Sequence, residues 1–290
     1  MEIINRRKRM MSVARRLRRE ENRTIGLVPT MGALHEGHLS LIHEARALCD
    51  VVVVSVFVNP AQFGPTEDFE SYPRDLTRDS ALLAEYNVDY VFAPTAEEIY
   101  PTGFSTYVTV EGLSDKLEGA ARPGHFRGVS TVVAILINIV RPNFAFFGQK
   151  DAQQSIVIKQ MIRDLAFDSE IVVLPIVREE SGLAMSSRNA YLDDQERRAA
   201  TILNRALSQA RAAFDSGERS ASRLVDLVRT TIEQEPLARI DYVSLNDAET
   251  LAKLDKIDDR PALLSLAVFF SKTRLIDNVV LGSQRNAARA

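Results

Sequence analysis

The chain is predicted to be an α/β protein, a parallel-sheet domain followed by a smaller α+β domain, on three observations. Short apolar runs rich in Val, Ile and Phe alternate with longer segments of helical spacing as far as Pro175. Beyond that point the order changes to helices followed by strands. At the change lies a polar stretch, VREESGLAMSSRN at 177–189, with Gly182 inside it. The expected division is a first domain at 1–176 and a C-terminal domain at 177–290.

Taken in order, the elements justify that reading. Near the N-terminus Arg6, Arg7, Lys8, Arg9, Arg15, Arg16, Arg18 and Arg19 form a dense basic stretch. Such a patch can bind phosphate backbones. The same segment sets Met10, Val13, Ala14 and Leu17 at i, i+3, i+4 and i+7, one apolar stripe on a helix whose other faces are solvated, and this reading is preferred. Strands are expected at 24–28, 51–58, 88–92, 143–147 and 170–174, whose near-continuous apolar character suits burial on both faces. Helices are expected at 39–48, 76–86, 129–140 and 153–165, so the strands should join in βαβ units with right-handed crossovers. In the C-terminal part, helices at 193–214 and 221–232 precede strands at 240–245, 263–270 and 275–281. The polar stretch between the parts reads as a linker or mobile loop.

Composition narrows the classes of function. Of 290 residues 46% are apolar and 26% charged, which suits a soluble globular protein with a real core. No apolar run approaches the ~18 residues of a membrane span, and no apolar segment follows the charged N-terminus as in a secretory signal, so a cytoplasmic protein is expected. A net charge of −3 gives no global attraction to nucleic acid or anionic membrane, and any anion site must be built locally. Cys49 is the single cysteine, which excludes an internal disulfide and a multi-cysteine metal site and leaves it a packing role.

Three clusters carry chemistry. In PTMGALHEGH (29–38) a strand is expected to end at Pro29, with Gly32 and Gly37 around a helix start, where unpaired N–H groups and the helix dipole favour an anion. His35 and His38, three apart on the first turn, would face one side and could address one phosphate; a structural or metal-binding pair is the alternative. The run matches neither the P-loop nor the G-x-G-x-x-G pattern. In FFGQKDAQQ (146–154), Lys150, Asp151, Gln153 and Gln154 follow a strand, at the carboxyl end where open α/β sheets bind ligands. In MSSRN (185–189), two hydroxyls and an arginine suit phosphate oxygens.

The runs VPTMGALHEGH, VFVNPAQF, YPRDLTRD, LEGAARPGHFRGV, FFGQKD with Gln154, GLAMSSRN followed by YL, and RLIDN at 274–278 together resemble the pantothenate synthetase family, the pantoate–β-alanine ligases. That family lies in the nucleotidylyltransferase superfamily, with a Rossmann-like fold. The resemblance implies condensation of pantoate with β-alanine at the expense of ATP, through a pantoyl adenylate, with magnesium on the phosphates and a homodimer as the assembly. It implies ATP contacts from Met31, Gly32, Ala33, Leu34, His35, Glu36, Gly37 and His38. Further ATP contacts would come from Gly148, Gln149, Lys150, Asp151, Val177, Met185, Ser186, Ser187 and Arg188. His38 would be the proton donor, with His35, Lys150, Ser187 and Arg188 beside it in catalysis. Gln62 would touch pantoate and β-alanine, Gln154 and Asn59 would touch pantoate, and Asp79 would help hold magnesium. The C-terminal domain would act as a lid. Gln149 stands where the family usually has glutamate, Ala61 where methionine is common, and Ala152 where an aromatic is frequent; these departures bear on substrate affinity more than on reaction type.

The chemistry has its own logic. A carboxylate, with a pKa near 4, is already an oxygen nucleophile at neutral pH, so adenylation needs no general base. It needs cations and donors on the phosphoryl oxygens. The β-alanine ammonium must lose a proton before it attacks, with His38, water or product phosphate as acceptors. Two other readings fit parts of the sequence: a nucleotidylyltransferase that stops at AMP transfer, and a noncatalytic nucleic-acid binder using the basic N-terminal helix.

Overall fold

A computed structural model describes residues 1–65 and 67–282. The chain forms two compact units, Met1–Gln149 with Gln153–Pro175, and Lys150–Ala152 with the chain from Ile176 on.

The first unit is built on a six-stranded parallel sheet. Along the chain run β1 (Glu2–Ile4), α1 (Arg7–Arg19), β2 (Ile25–Thr30), α2 (Glu36–Leu48), β3 (Val51–Val56), α3 (Leu76–Glu85) and β4 (Tyr90–Phe92). Then come α4 (Ala96–Ile99), α5 (Glu118–Ala121), α6 (His125–Val140), β5 (Phe144–Gly148), α7 (Ala152–Asp164) and β6 (Glu170–Leu174). Strand order is β1-β4-β3-β2-β5-β6, every neighbouring pair parallel. From β2 the chain moves outward through β3 and β4, then returns to add β5 on the other side of β2. Strand order therefore reverses between β2 and β5, the place where open sheets leave a crevice beyond their carboxyl ends.

Two-residue periodicity explains why the strands are apolar throughout. Ile25 and Leu27 of β2, Val51 and Val53 of β3 and Ala145 and Phe147 of β5 pack with α1, α6 and α7. Val28, Val52, Val54 and Phe146 pack with α2 and α3 on the opposite face. Cys49 caps the end of α2 and lies against Gly26 of β2, and burial pushes its thiol up to about 11. The stripe of Met10, Val13, Ala14 and Leu17 is buried under α1, as its spacing predicts. Four arginines of that region meet carboxylates: Arg6 with Glu98, Arg9 with Glu2, Arg16 with Glu21 and Arg18 with Asp168. No helix among the described residues is long and apolar enough to cross a membrane.

Several boundaries differ from the sequence reading for local reasons. β2 runs through Pro29 to Thr30, because Pro29 lies past the last pairing with β5 and meets only β3. β3 stops at Val56, short of 58, where the chain turns into the 3-10 turn Pro60–Gln62 capped by Asn59. α6 starts at His125, since Gly124 in the left-handed region supplies its entry. β1, three residues at the sheet edge, is too short to show a pattern.

The second unit carries α8 (Asp194–Ala200), α9 (Ile202–Asp215), α10 (Ala221–Ile232), β7 (Ala238–Asp247), β8 (Ala262–Phe270) and β9 (Thr273–Leu281). Its sheet is antiparallel in the order β7-β8-β9, and its core joins that sheet to the helices through Leu203, Leu207, Leu224, Val228, Leu264 and Leu266. The single helix expected at 193–214 is divided at Thr201, whose hydroxyl bonds back to the Arg198 carbonyl at 2.8 Å. Of the stretch 177–189, residues 177–185 form a hairpin within the second unit, where their polarity suggests a linker. Arg178 and Ala184 form a bridge, the Met185 amide donates to the Val177 carbonyl at 3.0 Å, and the Arg178 guanidinium makes two bonds to buried Asp277 of β9 at 2.6 and 3.0 Å.

Gly128 sets a close approach between α6 and the turn that carries Gln62. A Cβ there would lie 2.1 Å from the Ala61 carbonyl oxygen, so only glycine lets α6 press against the turn Pro60–Gln62. Gly128→Ala is expected to push that turn away and to lower unfolding free energy by about 1–3 kcal/mol. Urea denaturation checks this, and an unchanged midpoint would contradict it.

Candidate active site

The turn from β2 to α2 is the centre of the first unit's polar surface. Gly32 and Ala33 are consecutive residues with positive φ, 82° and 51°. That conformation costs a non-glycine residue like Ala33 energy. Six amides along the turn have acceptors inside the protein. Gly32 donates to the Thr30 hydroxyl at 3.2 Å, and Ala33 and Leu34 donate to the two carboxylate oxygens of Asp79, each at 2.9 Å. His35 donates to His38 Nδ1 at 3.4 Å, Gly37 to His35 Nδ1 at 3.2 Å, and His38 to the His35 carbonyl at 2.8 Å. Most of the amides expected to be unpaired are therefore engaged, by side chains of the turn itself, by Asp79 and by the His35 carbonyl.

This reciprocal capping determines the imidazoles. With Nδ1 of each ring accepting, the neutral ring carries its hydrogen on Nε2. The two rings lie 4.1 Å apart between centroids. Among the other residues expected at ATP, Met31 is half-buried, Glu36 is exposed, and Gly32 and Leu34 are buried, Leu34 within the apolar core. Asp79 is fully buried with both oxygens on amides, an arrangement that does not suit a direct metal ligand.

A second group surrounds Gln62. Asn59 is 1% exposed and fully occupied: its Nδ2 donates to Gln62 Oε1 at 3.1 Å and to the Gly128 carbonyl at 3.2 Å. Its Oδ1 accepts from the Ala61 amide at 3.2 Å and from the Tyr100 hydroxyl at 2.7 Å. Asn59 thus orients Gln62 from behind and has no group left for a substrate. Gln62 Nε2 meets the Met31 sulfur at 3.0 Å, so one donor and one lone pair of its amide are still open. Its main-chain carbonyl accepts from His125 Nδ1 at 2.8 Å, which leaves His125 Nε2 to accept from Arg122 at 3.2 Å. Burial, reinforced by the neighbouring Arg122 charge, pushes His125 down to about 4. Arg122 in turn holds Glu67 through two bonds at 2.7 and 2.6 Å; burial opposes the Glu67 charge, but these bonds outweigh it and keep the carboxyl below the usual range. Tyr100, Arg122, Glu67 and His125 were not read from the sequence as site residues. The signal was present in the run LEGAARPGHFRGV, but nothing local in it points at Gln62.

Gly148 closes β5, and the 3-10 turn Gln149–Asp151 follows. Gln153 is buried and engaged with the main chain of Leu113, Lys116 and Glu118. Gln154 is half-buried in the first turn of α7. In the second unit, Lys150 Nζ lies 3.5 Å from Asp151, and its carbonyl accepts from Asn278 of β9 at 3.0 Å. Ser186 caps the 3-10 turn Ser187–Tyr191, accepting from the Arg188 amide at 3.3 Å. Asn189 is held by Glu179 and the Ala184 carbonyl, and Arg197 bonds both oxygens of Glu179 at 2.8 Å, so half-buried Ser187 and Arg188 belong to a braced segment. Val177 and Met185 are paired partners within it.

A parallel sheet with its polar turns at the carboxyl ends of β2 and β5, where strand order reverses, defines a nucleotide-binding protein of the α/β class. The model of the pantoate–β-alanine ligase family matches residues 2–280, and the chain belongs to that family. A pantothenate synthetase of Pelotomaculum thermopropionicum is 58% identical over 264 residues, covering 91% of this chain and 93% of that protein. The crystal structure of pantothenate synthetase from Thermus thermophilus aligns with a TM-score of 0.90 at 45% identity, over 96% of this chain and 99% of that one. A Francisella tularensis pantoate–β-alanine ligase, complexed with an ATP species and β-alanine, aligns at 0.80 and 36% identity over 97% of each chain.

The neutral His125 gives a signed pH dependence. As pH falls below about 6.5 the unfolded chain takes up a proton that the folded His125 refuses down to about 4, so this residue's contribution to stability declines with acidification. The unfolding free energy of the wild type minus that of His125→Gln is expected to shrink by about 2–3 kcal/mol between pH 7 and pH 4.5. Urea titrations of both proteins at the two pH values measure it, and a constant difference would refute the assignment.

Proposed function

We propose that this chain is an ATP-dependent ligase that joins pantoate to β-alanine, yielding pantothenate, AMP and pyrophosphate through a pantoyl adenylate. Membership of the pantoate–β-alanine ligase family supports the reaction. The observation in the site that carries it is the pair of Nε2–H donors on His35 and His38, fixed by capping at the sheet's switch point.

In the first step a pantoate carboxylate oxygen attacks the α-phosphorus, and the bond to the β-phosphate breaks. No base is needed; negative charge on the phosphoryl oxygens must be met. His35 and His38 donate from Nε2, with His38 closest to the role of proton donor, while Lys150, Ser187 and Arg188 supply cations and hydroxyl donors. Met31 and Ala33 to Gly37 edge the nucleotide together with Gly148, Gln149, Asp151, Val177, Met185 and Ser186. Gln62 orients pantoate and then β-alanine with the donor and lone pair left open, Gln154 holds pantoate, and Asn59 acts through Gln62. Magnesium enters only as the counter-ion that accompanies the ATP phosphates. In the second step the amine attacks the acyl carbonyl and AMP leaves. The ammonium proton does not go to His38, whose Nδ1 is engaged and whose Nε2 carries hydrogen; water or product phosphate takes it. Homodimeric assembly in the cytoplasm is the family expectation we retain, and sedimentation of the purified protein tests the dimer.

Pantoate-dependent ATP–pyrophosphate exchange is expected without β-alanine, because the adenylate precedes the amine. His38→Ala and Lys150→Ala should each slow that exchange about 10²-fold or more with pantoate affinity little changed. Exchange that required β-alanine, or ADP and phosphate as products, would overturn the proposal. Gln62→Ala is expected to raise the Michaelis constants for pantoate and β-alanine more than it lowers the maximal rate, since a neutral amide holds ground state and transition state alike. A large fall in maximal rate at unchanged Michaelis constants would remove that role.

A further inference from the structure

We infer that Asp79 is the internal anion that holds the β2–α2 turn in its working shape, a positioning residue for His35 and His38 and not a ligand of the nucleotide's metal. This rests on the roles proposed above for the two histidines. The carboxylate is completely buried at the start of α3. Each of its oxygens takes one amide, Oδ2 from Ala33 and Oδ1 from Leu34, both at 2.9 Å. These are the amides that follow each of the two left-handed residues, Gly32 and Ala33. Two charge-assisted bonds to one carboxylate offset the conformational cost of that pair. Gly32 is part of the same fit, since a Cβ there would lie 3.0 Å from Asp79 Oδ2.

The clamp is anchored from its own side. Asp75 caps α3, its side chain accepting from the Arg78 amide at 2.9 Å and its carbonyl from the Asp79 amide at 3.0 Å. Arg78 reaches back to the Leu34 carbonyl at 3.4 Å and lies 3.9 Å from Asp79 Oδ1. Leu34 is therefore held at both its amide and its carbonyl by α3, and the next residue is His35, whose ring orientation depends on its position as helix cap. The same geometry argues against a metal. A magnesium ion sits at about 2.0–2.1 Å from its oxygens and keeps several waters. Here both oxygens are buried and face amide hydrogens, which repel a cation.

The test uses the full-length protein and pantoate-dependent exchange. Asp79→Asn keeps the shape but turns an NH2 group toward one of the two amides. Its exchange rate at saturation is expected to fall about 10-fold or more, with half-saturating magnesium and the Michaelis constant for ATP unchanged within about 2-fold. The 15N imidazole spectrum should show His35 and His38 as single Nε2–H tautomers in the wild type and as mixtures in the variant. Arg78→Ala is a surface change that tests the idea even if Asp79→Asn does not fold. It is expected to slow exchange about 2–3-fold at unchanged magnesium dependence, whereas a metal-ligating Asp79 would bind magnesium more tightly once that cation is gone. Rescue of Asp79→Asn by excess magnesium, a lowered magnesium requirement in Arg78→Ala, or a wild-type rate in Asp79→Asn would each overturn the inference. If His38→Ala is inactive while Asp79→Asn is normal, this inference alone fails. A fully active His38→Ala would instead remove the reading of the site on which it rests.

Discussion

A backbone amide withdrawn from water must find an acceptor, and the turn between β2 and α2 is organised by that requirement. Two left-handed residues point the amides of Ala33 and Leu34 into the protein, where a carboxylate receives them. The next amides are taken by the histidines they precede or follow. A helix start that sequence logic reserves for a phosphate thus has most of its amides taken by the protein's own side chains. On the reading proposed above, recognition of an anion passes in part to the imidazole edges, which substitution can remove one at a time.

The surroundings of Gln62 follow the same rule at one remove. A side-chain amide rotates freely unless its neighbours specify which end is which. Asn59, itself fixed by Tyr100, Ala61 and Gly128, specifies it for Gln62. The main chain of Gln62 is fixed separately by a histidine kept neutral by burial, and beyond it by the Arg122–Glu67 pair. The absence of a side chain at Gly128 lets these two supports converge on one turn. Ala61, where a larger residue is common in the family, faces this approach with little bulk of its own.

The sheet was legible because burial on both faces leaves an unmistakable run of Val, Ile and Phe, and α1 because its apolar stripe is regular. Boundaries were less legible where single residues decide them: Gly124 opening α6, Thr201 dividing α8 from α9, and Asn59 turning the chain out of β3. The histidine pair, Gln62 and the MSSR run stood out through motif resemblance, since each is local. Tyr100, His125 and Glu67 did not, because their meaning lies in contacts across more than thirty-five residues of sequence for Tyr100 and Asn59, and more than fifty for Arg122 and Glu67. The hairpin at 177–185 was not legible for the same reason. Its composition is that of a loop, while its order comes from Asp277, about a hundred residues away.

The single thiol offers a different kind of consequence. Cys49 lies against Gly26 in the strand that leads directly to the histidine turn, and burial keeps it protonated at neutral pH. A maleimide or disulfide reagent can react only after that strand has parted from α2. Labelling is therefore a clock for opening at the heart of the sheet: its rate under native conditions reads the free energy of exposing β2. The protein carries, unmodified, a chemical probe of the stability of the element on which its catalytic turn is mounted.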